Sequence, residues 1–328
     1  MLHALLAPLL GLLAWLALAV WQGQALHDVA TLAELAVAFV ALVVVPLLLP
    51  HVSSDMYAHS APVPTDRPPP AVPRSLAAGH AVGALGVVLG AALVQTGSPA
   101  SLPLAGLWLA FTGLAALHAL RRFLRRRLHP LPELALDLAL LFLPGGALWL
   151  VAYRGDLVLG GFGGLATILT AGHFHAAGFG VLAMTGLLGR NLNDLPRARK
   201  LYTFVAPALM LAFPLLAAGI ATAIRPIELT GAVLYAFALP LLAGLQLTAA
   251  VRLRERPLAA RLLLVASSLA LLLATGFALY FASQGFYGAA VEISTMLRWH
   301  ALVNVVGFLG LGLLAWSLLR PASKAPHA

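Results

Sequence analysis

The sequence predicts an all-α integral membrane protein, a bundle of about ten transmembrane helices with both termini on the cytoplasmic side. Three observations carry this. Of 328 residues, 61% are hydrophobic and 9% charged, against about 25% charged in soluble domains, and the mean hydropathy is +0.95. Apolar runs of about 20 residues recur with short loops between them, which is the length a helix needs to cross a bilayer core. The basic residues fall into alternate loops, as the orientation of membrane helices demands.

The elements follow in order. The first run, 2–21, has no positively charged lead and is longer than the apolar core of a signal peptide, so it reads as an uncleaved span. The second, 29–50, is apolar except for Glu34. Spans at 73–94 and 101–120 come next, the latter closed by RRFLRRR at 121–127. Pro130 and Pro132 introduce a fifth at 132–152, with Asp137 placed to answer the nearby arginines and the helix N-terminus. The sixth, 160–187, holds His173 and His175. Spans at 200–222, 227–250 and 257–281 carry Pro207, Pro214 and Pro240, which membrane helices tolerate. The tenth, 297–319, holds His300 and Asn304. All of 1–328 reads as one transmembrane domain. The longest connection, from about His51 to Pro73, contains TDRPPPAVPR. It belongs at the surface, because backbone without internal hydrogen bonds is not tolerated in lipid.

With the N-terminus inside, all 20 Lys and Arg fall on the cytoplasmic side except Arg154, Arg225 and Arg298. The 121–127 cluster then reads as an orientation signal that also suits anionic headgroups, with His118 and His129 interfacial beside it. The formal charge of +9 is accounted for by these loops, so nucleic acid is excluded as a partner. The partners expected are the lipid bilayer and a lipophilic small molecule. The absence of cysteine excludes disulfides, thiolate ligands and iron–sulfur clusters.

Ionisable groups at membrane depth are costly and point to function. His173 and His175 lie near the midplane of the sixth span, and His300, Asn304 and Glu34 toward the outer half. His300 and Asn304, four apart, share a helix face. His173 and His175, two apart, point to nearly opposite sides of a regular helix. Both would reach one site only if a bulge or break distorts the helix, which Gly172, Gly178 and Gly180 make feasible. Imidazole suits zinc, copper, iron and haem. Three histidines, His173, His175 and His300, would form a three-ligand site with one open position. Asn304 would then orient His300 or a bound molecule, and Glu34 would serve as a further ligand, a partner that fixes a histidine tautomer, or a proton-transfer group. The competing reading makes each histidine interhelical glue.

Other motifs carry less. GGFGG at 160–164 lacks the lysine and the strand–loop–helix setting of a phosphate loop, and the spacing of Gly160 and Gly164 points instead to close helix packing. Tyr280, Gln284 and Tyr287 read as interfacial anchors. The likeness between HFHAAGF and HALVNVVGF does not fit a five-plus-five repeat and reads as coincidence.

The segment TAGHFHAAGF (170–179), followed later by WHALVNVVGF (299–308), resembles the YndJ-like family of bacterial polytopic membrane proteins. His173-Phe174-His175 with Gly178-Phe179 carries the resemblance. It implies a multi-pass protein of the bacterial inner (cytoplasmic) membrane and no particular reaction. His300-x-x-x-Asn304-x-x-Gly307-Phe308 is similar to a histidine segment of haem–copper oxidase subunit-I-like proteins. The chain departs from those in lacking their full histidine set on several helices, which puts oxygen reduction in doubt. The leading expectation is an intramembrane histidine site for a metal ion or haem, serving redox chemistry on a lipophilic substrate. The rivals are a proton-coupled transporter using the same groups, and a binding or assembly protein without turnover.

Overall fold

The computed structural model describes residues 2–53, 72–253, 257–287 and 292–319. Most of the expected surface loop between His51 and Pro73, together with Arg67, Arg254, Arg256, Arg320, Lys324 and the side chains of Gln284 and Tyr287, lies outside the described residues. Within them the chain is a helical membrane bundle with ten main helices. These are α1 (Leu2–Trp21), α2 (Val29–Val52), α3 (Arg74–Leu93), α4 (Ser101–Arg126), α5 (Leu131–Arg154), α6 (Leu165–Arg190), α7 (Pro196–Thr222), α8 (Arg225–Arg252), α9 (Leu258–Tyr287) and α10 (Ile293–Leu318). Nine are long and apolar enough to cross a membrane, and α1 is apolar over Leu5–Trp21. Neighbours in sequence pack as antiparallel pairs, most extensively α5 on α6, α9 on α10 and α7 on α8.

The centre of the bundle is α2. Its apolar window is buried inside the protein on every side, as expected for a helix that is hydrophobic all round. Contacts with α1, α3, α6 and α10 enclose it. Gly11 lets α1 approach α2 at close range, since a Cβ there would collide with the carbonyl of Leu42.

Three helices depart from regular α geometry. Each contains a wider π-helical segment: Val40–Val44 in α2, Phe174–Gly180 in α6 and Leu297–Gly310 in α10. In hydrocarbon, a carbonyl tilted out of the usual ladder needs another donor. Each wide segment has one from a neighbouring helix. His80 Nε2 donates to Ala41 O at 2.9 Å, Tyr235 Oη to Ala177 O at 3.1 Å, and Ser267 Oγ to Phe308 O at 2.7 Å. Ser267 also takes a hydrogen bond from Gln246 Nε2 at 2.9 Å, which ties α8 and α9 to α10.

Ionic clusters close both ends of the bundle. At one end Glu133 of α5 meets Arg122 (2.8 Å) and Arg126 (3.2 Å) of α4, and Arg190 (2.6 Å) of α6. Asp137 meets Arg122 at 3.1 Å and Arg126 at 2.9 Å. Arg122 also donates to Val52 O and Arg190 to His51 O, so the last carbonyls of α2 are capped. The expectation that Asp137 answers arginines holds. The arginine run, however, divides: α4 continues through it, so Arg122 and Arg126 turn inward while Arg121 and Arg127 are exposed.

At the other end sits Arg154, expected in an external loop but in fact the buried last residue of α5. Its Nη1 pairs with Glu34 Oε1 at 3.1 Å, and its Nη2 donates to the carbonyls of Gly90 and Val94 at the end of α3. Its own carbonyl accepts from Ser101 Oγ at 2.5 Å.

One expectation about glycine is corrected. GGFGG precedes α6 rather than packing within it. Gly160, Gly161 and Gly164 have φ of 59°, 86° and 52°, and a Cβ on any of them would meet no atom within 4 Å. The left-handed backbone of this turn is what requires glycine there.

The Glu133 cluster yields a prediction. Glu133→Gln leaves Arg122 and Arg126 to Asp137 alone and takes from Arg190 its carboxylate, and should destabilise the protein by about 3–5 kcal/mol. Thermal unfolding in detergent checks this; a melting curve unchanged from wild type would deny the cluster its role in holding α4, α5 and α6.

Candidate functional site

The described residues enclose a cavity of about 320 Å³ in the half of the bundle that holds the N-terminal ends of α2, α6, α8 and α10. Its wall is mostly aliphatic: Ala33 and Ala36 of α2, Ile168 and Leu169 of α6, and further Ala and Leu from α8 and α9. Five polar side chains reach it: His173, Tyr235, Thr275, His300 and Asn304. Tyr235 spends its hydroxyl proton on Ala177 O. Helices α2, α6 and α10 are mutual neighbours, so residues far apart in sequence, such as His173 and His300, share one wall.

His173 and His300 present the same face to the cavity. His173 Nδ1 lies 2.8 Å from Leu169 O, and His300 Nδ1 lies 2.9 Å from Ala274 O of α9. A carbonyl only accepts, so Nδ1 carries the proton in both rings and the neutral tautomer has its lone pair on Nε2. Asn304 adds an amide on the same helix as His300 and lines the same space.

His175 is elsewhere. It is fully buried at 0% exposure, on the far side of α6 from the cavity and against α4 and α5. Its Nδ1 donates to Ala171 O at 2.8 Å, and its Nε2 accepts from Trp108 Nε1 at 3.0 Å. Both ring nitrogens are therefore engaged. Room for the ring comes from Gly146, where a Cβ would lie 2.5 Å from His175 Nδ1. Trp108 packs in turn on Phe111 and His80, which holds the wide turn of α2. The wide segment of α6 that Gly172, Gly178 and Gly180 made feasible does form, yet the two histidines still face different ways.

The five residues expected to make one site thus divide into three places. His173, His300 and Asn304 share the cavity. His175 belongs to the α4–α5 packing. Glu34, at 9% exposure, is held by Arg154 outside the cavity wall. The donor set does not fit a three-histidine metal centre: two imidazoles face the cavity, and among the described residues no three His, Cys, Asp or Glu side chains stand together in a metal-holding group. Among the described residues, no carboxylate, Lys or Arg lines the wall to balance a metal ion or the propionates of a haem. Thr275 and Tyr235 are the cavity groups that sequence reasoning missed. Neither had a signal, since a single Thr or Tyr in an apolar run is ordinary.

Comparison with known proteins agrees that this is a membrane protein. Residues 35–308 match the model of the YndJ-like protein family. The "Uncharacterized membrane protein YndJ" of Bacillus subtilis (strain 168) is 30% identical over 213 residues, covering 65% of this chain and 38% of that protein. The chain therefore matches well under half of that relative's length. No solved structure matches.

The separation of the two histidines predicts unequal substitutions. His175→Ala leaves the buried Trp108 N–H without a partner, which alone costs about 1–3 kcal/mol. His173→Ala should change stability by no more than about 0.5 kcal/mol. Paired thermal melts of the two variants measure the difference, and equal losses would contradict the packing.

Proposed function

The chain belongs to the YndJ-like family, and we propose that it acts by binding a lipophilic small molecule in the cavity between α2, α6, α8, α9 and α10. The observation that carries this reading is an apolar cavity whose few polar groups converge from two helices. That is the usual make-up of a small-molecule site, in which apolar walls supply affinity and a few polar groups fix orientation. His173 and His300 would hold the polar end of the molecule through Nε2, with Asn304 beside them. An imidazole with its Nδ1 proton fixed on a carbonyl is also oriented to accept a proton at Nε2, so the site is equipped for proton transfer should the bound molecule react.

The wide segments of α6 and α10 support this reading, because π-helical turns are frequent at functional sites. They set His173, His300 and Asn304 along one cavity wall. The expected metal or haem has weaker support, since the cavity offers two imidazoles and no charged group.

We place the protein in the bacterial inner membrane, with both termini cytoplasmic. Helix direction puts Arg74, Arg121, Arg122, Arg125, Arg126, Arg127, Arg190, Arg197, Arg199, Lys200, Arg252 and Arg261 at one end of the bundle. Arg154, Arg225 and Arg298 lie at the other. The positive-inside rule makes the richer end cytoplasmic and sets the cavity in the outer half.

Two measurements test these statements. Purification in polymer-bounded lipid discs, followed by mass spectrometry of the extract, should find a lipophilic molecule enriched with the wild-type protein and depleted in Ala236→Trp, which fills the cavity. Identical extracts would sink the binding reading, and stoichiometric zinc, copper or iron, or a Soret band, would favour the metal or haem site instead. Because the chain has no cysteine, Val158→Cys and Arg225→Cys should react with an impermeant thiol reagent from outside intact cells, and Arg121→Cys should not. The reverse pattern would invert the topology.

A further inference from the structure

The hydrogen bonds behind the two cavity histidines constrain the chemistry of the molecule in front of them. Resting on the binding reading above, we infer that the cavity takes an uncharged amphiphile whose polar head donates hydrogen bonds: a lipophilic alcohol or phenol, rather than a fatty acid, a phospholipid head or an ammonium amphiphile.

Three observations converge. The first is the tautomer. His173 Nδ1 faces Leu169 O and His300 Nδ1 faces Ala274 O, so each neutral ring offers the cavity an acceptor and no donor. Two acceptors lining one cavity ask for a head with at least one O–H or N–H. Both rings line the one cavity, so a head with two hydroxyls can serve both, and a single hydroxyl serves one of them.

The second is the absence of charge in the wall. Among the described lining residues there is no Lys or Arg to receive a carboxylate or phosphate, and no Asp or Glu to receive an ammonium group. Glu34, next in sequence to the lining residue Ala33, is committed elsewhere: it pairs with Arg154 at 3.1 Å. A buried charge without a partner is strongly unfavourable, so either kind of ionic head is rejected.

The third is what the remaining polar groups offer. Asn304 carries both a donor and an acceptor, and Tyr235 has already given its proton to Ala177 O. Asn304 and Thr275 can thus accept from, or donate to, a hydroxyl oxygen, which completes a neutral head without demanding charge. Around these groups the wall is alanine, leucine, isoleucine and valine, suited to an alkyl or terpenoid tail.

Three photoreactive probes sharing one medium-length diazirine-bearing alkyl chain, with hydroxyl, carboxylate or trimethylammonium heads, test the inference. Each is irradiated with the full-length protein in lipid discs at neutral pH, and labelled peptides are mapped. The hydroxyl probe should label cavity peptides of α6, α8, α9 and α10 about tenfold more than either charged probe, a discrimination of about 1.4 kcal/mol. In His173→Leu that preference should shrink while the protein stays folded, and Asn304→Leu should act in the same direction. Ala236→Trp should abolish cavity labelling by all three. Equal labelling, or a carboxylate or ammonium probe that matches the hydroxyl one, overturns the assignment of head chemistry and leaves the cavity as a binding site. Failure of every probe to label the cavity overturns the binding reading as well.

Discussion

Everything in this bundle depends on one constraint: a carbonyl in hydrocarbon must find a donor within the protein. A regular helix satisfies that by itself. Helices α2, α6 and α10 do not remain regular, and each recovers the lost pairing from a side chain on a neighbour. His80, Tyr235 and Ser267 are therefore placed by the backbone they serve. The consequences reach the cavity directly. Tyr235 is both the donor to the wide turn of α6 and part of the cavity wall, and Ser267 holds the wide run of α10 that carries His300 and Asn304. Packing and site are joined through shared hydrogen bonds.

The charged residues serve the same end by another route. Helix ends leave carbonyls without partners, and here arginines supply them. Arg122 and Arg190 cap α2, and Arg154 caps α3. Each guanidinium is in turn matched by a buried carboxylate: Glu133 and Asp137 at one end, Glu34 at the other. Ion pairs buried in this way are weak contributors against an apolar alternative, but they are intolerant of losing one partner. Their value here lies in the fork of donors, which lets one arginine answer a carboxylate and several carbonyls together. The pairing with Arg154 accounts for the burial of Glu34 in an apolar run.

The histidines show how alike two residues can look in sequence and how differently they can serve. His173 and His175 stand two apart, and each donates Nδ1 to the carbonyl four residues back. What separates them is the partner at Nε2. For His175 it is the indole of Trp108, in a niche that Gly146 leaves open. For His173 it is the cavity. A ring closed at both nitrogens is a packing element, and a ring closed at one is a group with a lone pair to offer.

Much of this was determined by the sequence alone. Ten apolar runs separated by Pro, Gly and Arg define the helices, because hydrocarbon thickness fixes their length. Family membership was legible in His173-Phe174-His175 and Gly178-Phe179, and the match over residues 35–308 bears it out. The divergence of His173 and His175 followed from helical geometry, and so did the pairing of His300 with Asn304 on one face. Periodicity said that the two histidines differ but not which one meets the cavity. That was decided by tertiary structure, through glycines on α5 and a tryptophan on α4 that the local sequence of α6 does not contain. Arg154 read as a loop cation because its carboxylate and carbonyl partners stand on α2 and at the end of α3, 60 to 120 positions away in sequence, and come within reach only when the helices pack. The same holds for Glu34: a carboxylate in an apolar run announces that it has a partner, and only the packed bundle says whether that partner is a ligand or an arginine.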